Sequence, residues 1–391
     1  MKDVAVVGYC RTGIAKASRG ALNLTHGIPL AAHVLKAAIE RAGVEAGEVD
    51  DVVMGCGLPE GYTGHNIART SALWAGFPDS VPGVTINRYC GSGLTAASIA
   101  ANRIATGEAD IVIAAGVESI SLTQSHLNFN GFFYEPLQQK MPAVWWSMNQ
   151  TADFVATKYG IEREALDRYV VESQARVEAA RAAGKFAEEI TPFATTMQVT
   201  DKATGETHTQ EVTLDHDEGP RPGTTLEALS ALKPVYPGGT TTAGNASQLS
   251  DGSAAAVMMD ADLAARRGLP ILGLFRGMQL AAVAPEEMSI AITPAIRKLM
   301  GRHQLQMDDV ALWELHEAYA VTTLYNQAQL QTPWPITNVN GGAIALGHPY
   351  GMSGVRYLGQ TLMELGRRGG GKAVVAVCTA GGMATAALLE R

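Results

Sequence analysis

The spacing of apolar and polar positions predicts short buried strands that alternate with helices. Residues 4–7 form an apolar run that ends at Gly8 and predicts a first strand, and residues 28–43 have the apolar spacing of a helix. Residues 111–115 and 373–377 contain no polar position at all. Strands of that kind are buried on both faces, as in parallel sheets covered by helices. The pattern therefore predicts an α/β protein.

The predicted elements occur twice in the same order, which indicates an internal duplication. Each series runs from a helix to a strand with Asp-Asp-Val near its start, then to a second strand, a small-residue helix and an all-apolar strand. The series are residues 28–43, 50–56, 84–87 and 111–115 in the first half, and residues 292–301, 308–315, 337–340 and 373–377 in the second.

A long insertion divides the first half. In the second half, the last strand at residues 382–389 follows the all-apolar strand at 373–377 at once. In the first half, its counterpart at residues 252–259 comes only after residues 119–249. That segment is richer in charge and aromatics, with a predicted helical span at 163–185 and polar loops at 200–222. The expected domains are residues 1–118 with 250–270, the insertion at 119–249, and residues 271–391.

Composition narrows the class of protein. Charged residues are only 17% of 391, the net charge is −8, and 42 residues are glycine. Low charge indicates a deep interior or hidden subunit surface, and it excludes a disordered chain. Without a run of basic residues, nucleic-acid binding is not expected. No unbroken apolar stretch reaches the length of a membrane span.

The start of the chain does not resemble a signal peptide, so a cytoplasmic protein is expected. Its four cysteines show no Cys-x-x-Cys pairing, which argues against disulfides and a zinc site and predicts free thiols.

Cys90 is the first candidate for chemistry. It lies in Asn-Arg-Tyr-Cys-Gly-Ser-Gly-Leu, a predicted strand-to-helix turn. A helix N-terminus favours a thiolate and would lower the pKa of the thiol below about 8.5. Its N–H groups could also hold an oxyanion. A buried small apolar residue is the competing interpretation.

Three further residues are expected at strand ends or loops of the doubled sheet. His348 lies in a glycine-rich segment that begins as a predicted strand, Cys378 follows the strand at 373–377, and His316 ends the equivalent strand of the series. Ligands of α/β sheets bind at the carboxyl ends of strands. A Cys with a His is the minimum for an activated thiolate, and the second Cys is a plausible acid or base.

At these residues the sequence resembles the thiolase family over nearly its whole length. The segments that carry the resemblance are Asn-Arg-Tyr-Cys-Gly-Ser-Gly-Leu around Cys90, Gly-Gly-Ala-Ile-Ala-Leu-Gly-His-Pro ending at Pro349, His-Glu-Ala-Tyr-Ala from His316, and Cys-Thr-Ala-Gly-Gly from Cys378.

The resemblance implies an α/β thiolase fold. Two duplicated βαβαβαββ halves would form a five-layered αβαβα core, with the insertion as a loop domain for coenzyme A binding and oligomer contacts. It implies acyl transfer through an acyl-enzyme on Cys90, in thiolytic cleavage of a 3-oxoacyl-CoA or in Claisen condensation to acetoacetyl-CoA. His348 would activate Cys90, and Cys378 would move the proton at the acetyl-CoA carbon.

The resemblance also implies binding roles. His348 and His316 would hold the enolate oxygen, and the backbone N–H groups of Cys90 and Ala380 the tetrahedral intermediate. Coenzyme A would be a substrate, with no metal and no permanently bound cofactor. The matching substrate-binding positions are Arg221 at the nucleotide, Ser247 at the pantetheine, and the apolar tunnel residues Met148, Met288, Ala318 and Tyr319.

Among the departures from the family pattern, two bear directly on the site. His316 stands where an Asn that positions a water is usual, and it resembles the thiolase subunit of fatty-acid trifunctional complexes. Ala380 replaces a usual Gly, so its backbone must adopt a conformation that a Cβ allows.

The implied partners are acyl-CoA, coenzyme A, and further copies of the chain in a homodimer or homotetramer. Association with other fatty-acid oxidation enzymes stays open. The alternative is a catalytically weak thiolase-fold subunit that binds coenzyme A or acts as a scaffold. A nicotinamide oxidoreductase fails because residues 7–13 lack the second glycine of G-x-G-x-x-G.

Overall fold

A computed structural model describes residues 2–201 and 203–391. The strands are β1 Val4–Arg11, β2 Ala15–Lys16, β3 Asp51–Gly55, β4 Gly83–Ile86, β5 Ile111–Glu118, β6 Phe193–Thr200, β7 Thr207–Leu214, β8 Ser250–Asp260, β9 Gly273–Ala282, β10 Val310–Leu315, β11 Lys372–Thr379 and β12 Met383–Glu390. The helices are α1 Gly27–Ala42, α2 Ile67–Trp74, α3 Ser92–Ala105, α4 Ile120–Thr123, α5 Glu135–Lys140, α6 Met148–Lys158, α7 Arg163–Ala182, α8 Leu226–Ser230, α9 Ala261–Arg266, α10 Ile292–His303, α11 Ala320–Leu330, α12 Ala343–Leu346 and α13 Tyr350–Arg367.

Two half-sheets join edge to edge. The strand order is β10-β11-β12-β9-β1-β8-β5-β3-β4, with β2 beside β8. The pairs β3–β4, β3–β5 and β10–β11 are parallel, and the other pairs along this order are antiparallel. The halves meet where β1 pairs with β9 through Ala5↔Leu274 and Val6↔Gly273.

The elements repeat across this junction. Helix α1, strand β3, helix α3 and strands β5 and β8 of the first half correspond in order to α10, β10, α13, β11 and β12 of the second. The predicted all-apolar strands at 111–115 and 373–377 are confirmed as β5 and β11, each almost wholly buried.

Three apolar cores lie between five layers. Helices α1 and α2 cover one half-sheet, helices α10 and α11 cover the other, and α3 with α13 fills the space between the two. The central helices are therefore largely buried, and most of their interior residues are apolar or small, although α13 also buries Arg356, Gln360 and Glu364. This layering explains the low fraction of charged residues in the chain.

Two sequence predictions differ from the structure. Residues 337–340 do not form a strand, because Thr337 makes only an isolated bridge to Trp313 and the backbone at Asn338 has a positive φ of 47°. The segment 200–222 is not all loop, because β7 pairs with β6 along its full length in an antiparallel hairpin. Both strands of the hairpin are rich in Thr, β7 is largely exposed and β6 is only half-buried, so no buried apolar run marked them in the sequence.

A buried ion cluster ties the inserted segment to β1. Arg11 is fully buried and pairs with Asp217 at 2.6 Å and with Glu189 at 3.1 Å. Buried charges of this kind are tolerated only when paired. The pairs therefore hold residues before and after the β6–β7 hairpin against the first half.

Within the described residues, no helix is long and apolar enough to cross a membrane. The same residues contain no group of three or more His, Cys, Asp or Glu side chains arranged to hold a metal ion.

The two central helices touch through glycines. A Cβ at Gly354 of α13 would lie 2.1 Å from the backbone nitrogen of Leu94 in α3, and one at Gly93 would lie 2.5 Å from the carbonyl oxygen of Gly351. Backbone atoms cannot give way as a flexible side chain can. Glycine at these positions thus sets how closely the central layer packs.

Gly354→Ala is expected to lower the free energy of unfolding by about 3 kcal/mol, because overpacking forces the helices apart. Gly301→Ala in α10 is the matched control, since a Cβ added at Gly301 would meet no atom of the described residues within 4 Å. That control should be neutral or stabilising by up to about 1 kcal/mol. Urea unfolding of both variants measures the effect, and equal changes would contradict the close packing of the central helices.

Candidate active site

A cavity of about 160 Å³ lies where the central helices begin and strand β11 ends. Among its walls are two thiols and an imidazole, with apolar side chains around them. Its lining residues are Leu58, Tyr89, Cys90, Met148, Ser247, Leu249, Met288, Ala318, Tyr319, His348, Tyr350, Cys378 and Ala380.

Cys90 lies in a 3₁₀ turn between β4 and α3. Tyr89, the residue before it, has a positive φ of 46°. Burial raises the pKa of the Cys90 thiol to about 12, although hydrogen bonds from the N–H groups of Ala380 and Cys90 oppose this rise. The sequence-based expectation of a lowered pKa is therefore wrong for the resting protein, because the cost of burying a thiolate outweighs the helix N-terminus.

His348 lies just before helix α13, and its Nδ1 is 2.7 Å from the Ser353 hydroxyl. Ser353 donates its own proton to the Pro349 carbonyl at 2.9 Å, so it accepts from Nδ1–H. This leaves Nε2 as the unprotonated nitrogen. Burial, aided by the positive charge of Arg356, lowers the pKa of His348 to about 3. The imidazole is thus a neutral base near the thiol.

His316 follows strand β10 and is fully buried behind the cavity wall. Its ring centroid lies 4.3 Å from that of His348. Its Nδ1 is 2.8 Å from the Tyr357 hydroxyl, and its Nε2 has no hydrogen-bond partner in the described parts of the chain. Burial and then the neighbouring His348 lower its pKa well below the ordinary range.

Cys378 lies one residue before the end of β11, at the tight turn into β12. Burial, then the nearby Cys90, raises the pKa of its thiol well above the ordinary value, and a hydrogen bond with Thr322 acts in the opposite direction. In the turn, Gly381 and Gly382 have φ of 78° and 75°. Ala380 does not have a positive φ, so a Cβ is accommodated there, as the sequence analysis required.

A second cavity of about 270 Å³ adjoins the first and shares Ser247 and Leu249 with it. Arg221 lies at this second cavity, exposed, with its backbone N–H bonded to Gln174 of α7 at 2.9 Å. The two cavities therefore lie side by side, one at an exposed cation and the other at the thiols.

The structure brings together nearly all the residues that the sequence singled out. Cys90, His348, Cys378 and Ala380 line the catalytic cavity together with Met148, Ser247, Met288, Ala318 and Tyr319. His316 lies behind His348, and Arg221 lies at the adjoining cavity.

Several residues that hold this site in place were not apparent from the sequence. Glu118, at the end of β5, is fully buried and accepts hydrogen bonds from the N–H groups of Gly57, Leu58 and Gly351. Burial raises its pKa to about 7. Ser353 and Tyr357 support the two imidazoles. The sequence could have pointed to Ser353, because this residue follows His348 in the first turn of a predicted helix. No feature of the sequence pointed to Tyr357.

Comparison with known proteins agrees with this geometry. A family model for the thiolase N-terminal domain matches residues 4–262, and one for the C-terminal domain matches residues 269–391. The 3-ketoacyl-CoA thiolase of Bacillus subtilis is 39% identical, and the acetyl-CoA acetyltransferase of Cupriavidus necator is 40% identical, each alignment covering 100% of both chains. The crystal structure of Bacillus anthracis acetyl-CoA acetyltransferase superposes with a TM-score of 0.88 at 34% identity, over 100% of this chain and 99% of that one. The chain belongs to the thiolase family.

Ser353→Ala is expected to lower kcat/KM by about 10-fold or more, because the Nδ1 proton of His348 loses its acceptor and Nε2 is no longer held as the base. Thr361→Val is the matched control, since Thr361 is a buried residue of the same helix whose hydroxyl has no partner in the described residues. The effect is measured as the steady-state kcat/KM of both variants, and thermal unfolding checks that both are folded. A Ser353→Ala enzyme as active as Thr361→Val would contradict the assigned tautomer.

Proposed function

We propose that this protein is a CoA-dependent thiolase that transfers acyl groups between coenzyme A and Cys90. The observation that carries the proposal is the single cavity holding two thiols and a neutral imidazole, which shares the wall residues Ser247 and Leu249 with a second cavity at Arg221. The names of the relatives, 3-ketoacyl-CoA thiolase and acetyl-CoA acetyltransferase, describe the two directions of this reaction.

In the cleavage direction, Nε2 of His348 takes the Cys90 proton as the sulfur attacks the 3-keto carbon of a 3-oxoacyl-CoA. The carbon–carbon bond breaks, and Cys378 gives its proton to the departing acetyl-CoA carbanion. The Cys378 thiolate then takes the proton of an incoming coenzyme A. The coenzyme A thiolate attacks the acyl carbon on Cys90, and the bond between that carbon and the Cys90 sulfur breaks. The Cys90 thiolate then recovers its proton from His348. Condensation runs through the same steps in reverse.

The raised pKa values suit these roles. Cys378 starts as a thiol and so can act as an acid towards a carbanion. Cys90 also starts protonated, and its proton transfer to His348 accompanies bond formation. The N–H of Ala380, which already bonds the Cys90 sulfur, is placed with the Cys90 N–H to hold the tetrahedral oxyanion. The enolate oxygen would lie at His348 and His316.

Coenzyme A would lie across the two adjoining cavities. Arg221 would contact its nucleotide, and Ser247 would meet the pantetheine where the cavities join. The apolar walls Met148, Met288, Ala318 and Tyr319 would face the thioester end. No permanently bound cofactor is needed. The alternative of a catalytically weak scaffold subunit gains no support from this cavity.

We also propose that the chain works as a homodimer or homotetramer in the cytoplasm, within fatty-acid metabolism. Edge strand β4 exposes Val84, and Trp74 of the nearby α2 is 68% exposed, both of which suit contact with another copy.

The domain division proposed from the sequence is retained. Its three parts are residues 1–118 together with 250–270, residues 119–249, and residues 271–391. Contacts with other fatty-acid oxidation enzymes remain an open proposal, and some relatives carry peroxisomal names.

Cys90→Ala is expected to abolish CoA-dependent cleavage of acetoacetyl-CoA, by about 10⁴-fold or more, because the covalent intermediate cannot form. Cys10→Ala removes a buried thiol from β1, away from the cavity, and should retain activity. Loss of the absorbance of the acetoacetyl-CoA enolate measures the activity of both variants. Undiminished turnover by Cys90→Ala would reject the proposal.

Arg221→Gln is expected to raise KM for coenzyme A about 5-fold with little change in kcat, because an exposed Arg–phosphate contact contributes binding and no transition-state stabilisation. The effect should vanish when N-acetylcysteamine, which lacks the nucleotide, replaces coenzyme A as the acceptor thiol. Arg168→Gln, at an exposed pair on α7, is the control. An equal rise in KM for N-acetylcysteamine would show that Arg221 does not bind the nucleotide.

A further inference from the structure

The two imidazoles at the catalytic cavity use the same nitrogen, Nδ1, to contact helix α13, but they contact hydroxyl groups of different character. His348 meets Ser353, and His316 meets Tyr357. Both Nε2 atoms are buried and have no hydrogen-bond partner in residues 2–201 and 203–391. Which Nε2 carries a proton therefore depends on the direction of each Nδ1 contact.

We propose that Tyr357 is a positioning residue that donates its hydroxyl proton to Nδ1 of His316 and so fixes the Nε2–H tautomer. Resting on the proposed thiolase function, this makes His316 a standing hydrogen-bond donor for the enolate oxygen of acetyl-CoA. The His316 side chain then supplies directly the donor that the sequence resemblance assigns to a water held by Asn.

The direction of the Tyr357 contact follows from proton accounting. Tyr357 is fully buried, and in the described chain its hydroxyl has no hydrogen bond other than that to His316. If Nδ1 carried the proton, the hydroxyl would accept it and its own proton would be left buried without an acceptor. If Tyr357 donates, both groups are satisfied, and the His316 proton lies on Nε2.

His348 has the opposite tautomer for the same kind of reason. The hydroxyl of Ser353 already donates to the Pro349 carbonyl at 2.9 Å, so it can only accept from Nδ1 of His348. One imidazole is thus a base and its neighbour, 4.3 Å away between ring centroids, is a donor. A single oxygen can receive the His316 proton while His348 shuttles the Cys90 proton.

Burial keeps His316 neutral, and the surrounding charges act in the same direction. The Arg356 guanidinium lies 4.1 Å from the Tyr357 ring centroid and is fully buried, with its Nε and Nη2 unpartnered among the described residues. Its charge opposes an imidazolium beside it. The ionisable groups nearby on the other packed elements are Glu314 of β10, Glu317 after it, Cys378 of β11 and His348. Burial raises the pKa of Glu314 to about 8, so this carboxyl does not supply a compensating negative charge at neutral pH.

The test uses Tyr357→Phe, which removes only the hydroxyl. Tyr9→Phe is the matched control, because Tyr9 is also buried, packs on Gly359 of the same helix, and bonds Glu189 away from the cavity. Two half-reactions are measured. One is exchange of the acetyl-CoA methyl protons with D₂O, which requires the enolate. The other is acid-quenched acetylation of Cys90 by radiolabelled acetyl-CoA, which uses the backbone N–H groups instead.

Tyr357→Phe should slow proton exchange by about 10- to 100-fold, less than the loss of a whole oxyanion donor. It should change the acetylation rate by about twofold or less, and Tyr9→Phe should change neither. In a His316→Asn background, where no tautomer needs fixing, Tyr357→Phe should have little further effect. Additive losses in the double variant, or equal losses in both half-reactions, would overturn the proposal. Absence of acetylation in the unaltered enzyme would instead reject the proposed function.

Discussion

The close contact of two largely buried helices is the constraint on which this structure depends. Helices α3 and α13 lie between the half-sheets and touch through Gly93 and Gly354, where any Cβ would strike backbone. Cys90 precedes the first helix and His348 precedes the second. Packing that brings the helices together therefore brings the thiol and the base to one cavity. Because of the duplication, the helix that follows the thiol and the helix that follows the base are corresponding elements of the two halves.

The same burial decides the resting chemistry. Cys90 and Cys378 are held as thiols and both imidazoles as neutral rings, because each charged form would lose its hydration in the central layers. Charge appears only as the reaction proceeds, and the groups that stabilise it are already oriented. Hydroxyl contacts from one helix assign the protons, and the N–H of Ala380 faces the sulfur.

Much of the fold and site could be predicted from the sequence, because all-apolar strands and a repeated element order are properties of chain pattern. They predicted β5 and β11, which the structure confirms, and the glycine-rich turns around Cys90 and His348 pointed to the candidate site. The insertion stays a prediction. The pattern could not reveal the β6–β7 hairpin, whose strands contain no buried apolar run, nor the missing strand at 337–340, where positive φ at Asn338 prevents pairing. The helix N-terminus suggested a lowered pKa for Cys90, but depth of burial depends on layers contributed by both halves of the chain.

Tyr357 lies 41 residues from His316 along the chain, and only the packing of α13 against β10 joins them, so no local motif reveals that contact.

Acylation of Cys90 is the step from which the proposed chemistry follows. It is measured by peptide mapping with mass spectrometry of the unaltered enzyme, incubated with acetyl-CoA and quenched in acid. We predict one acetyl group on the peptide that contains Cys90, removed when free coenzyme A is added before the quench. An acetyl group on Cys10, Cys56 or Cys378 instead, or one that coenzyme A fails to remove, would show that Cys90 does not carry the acyl group.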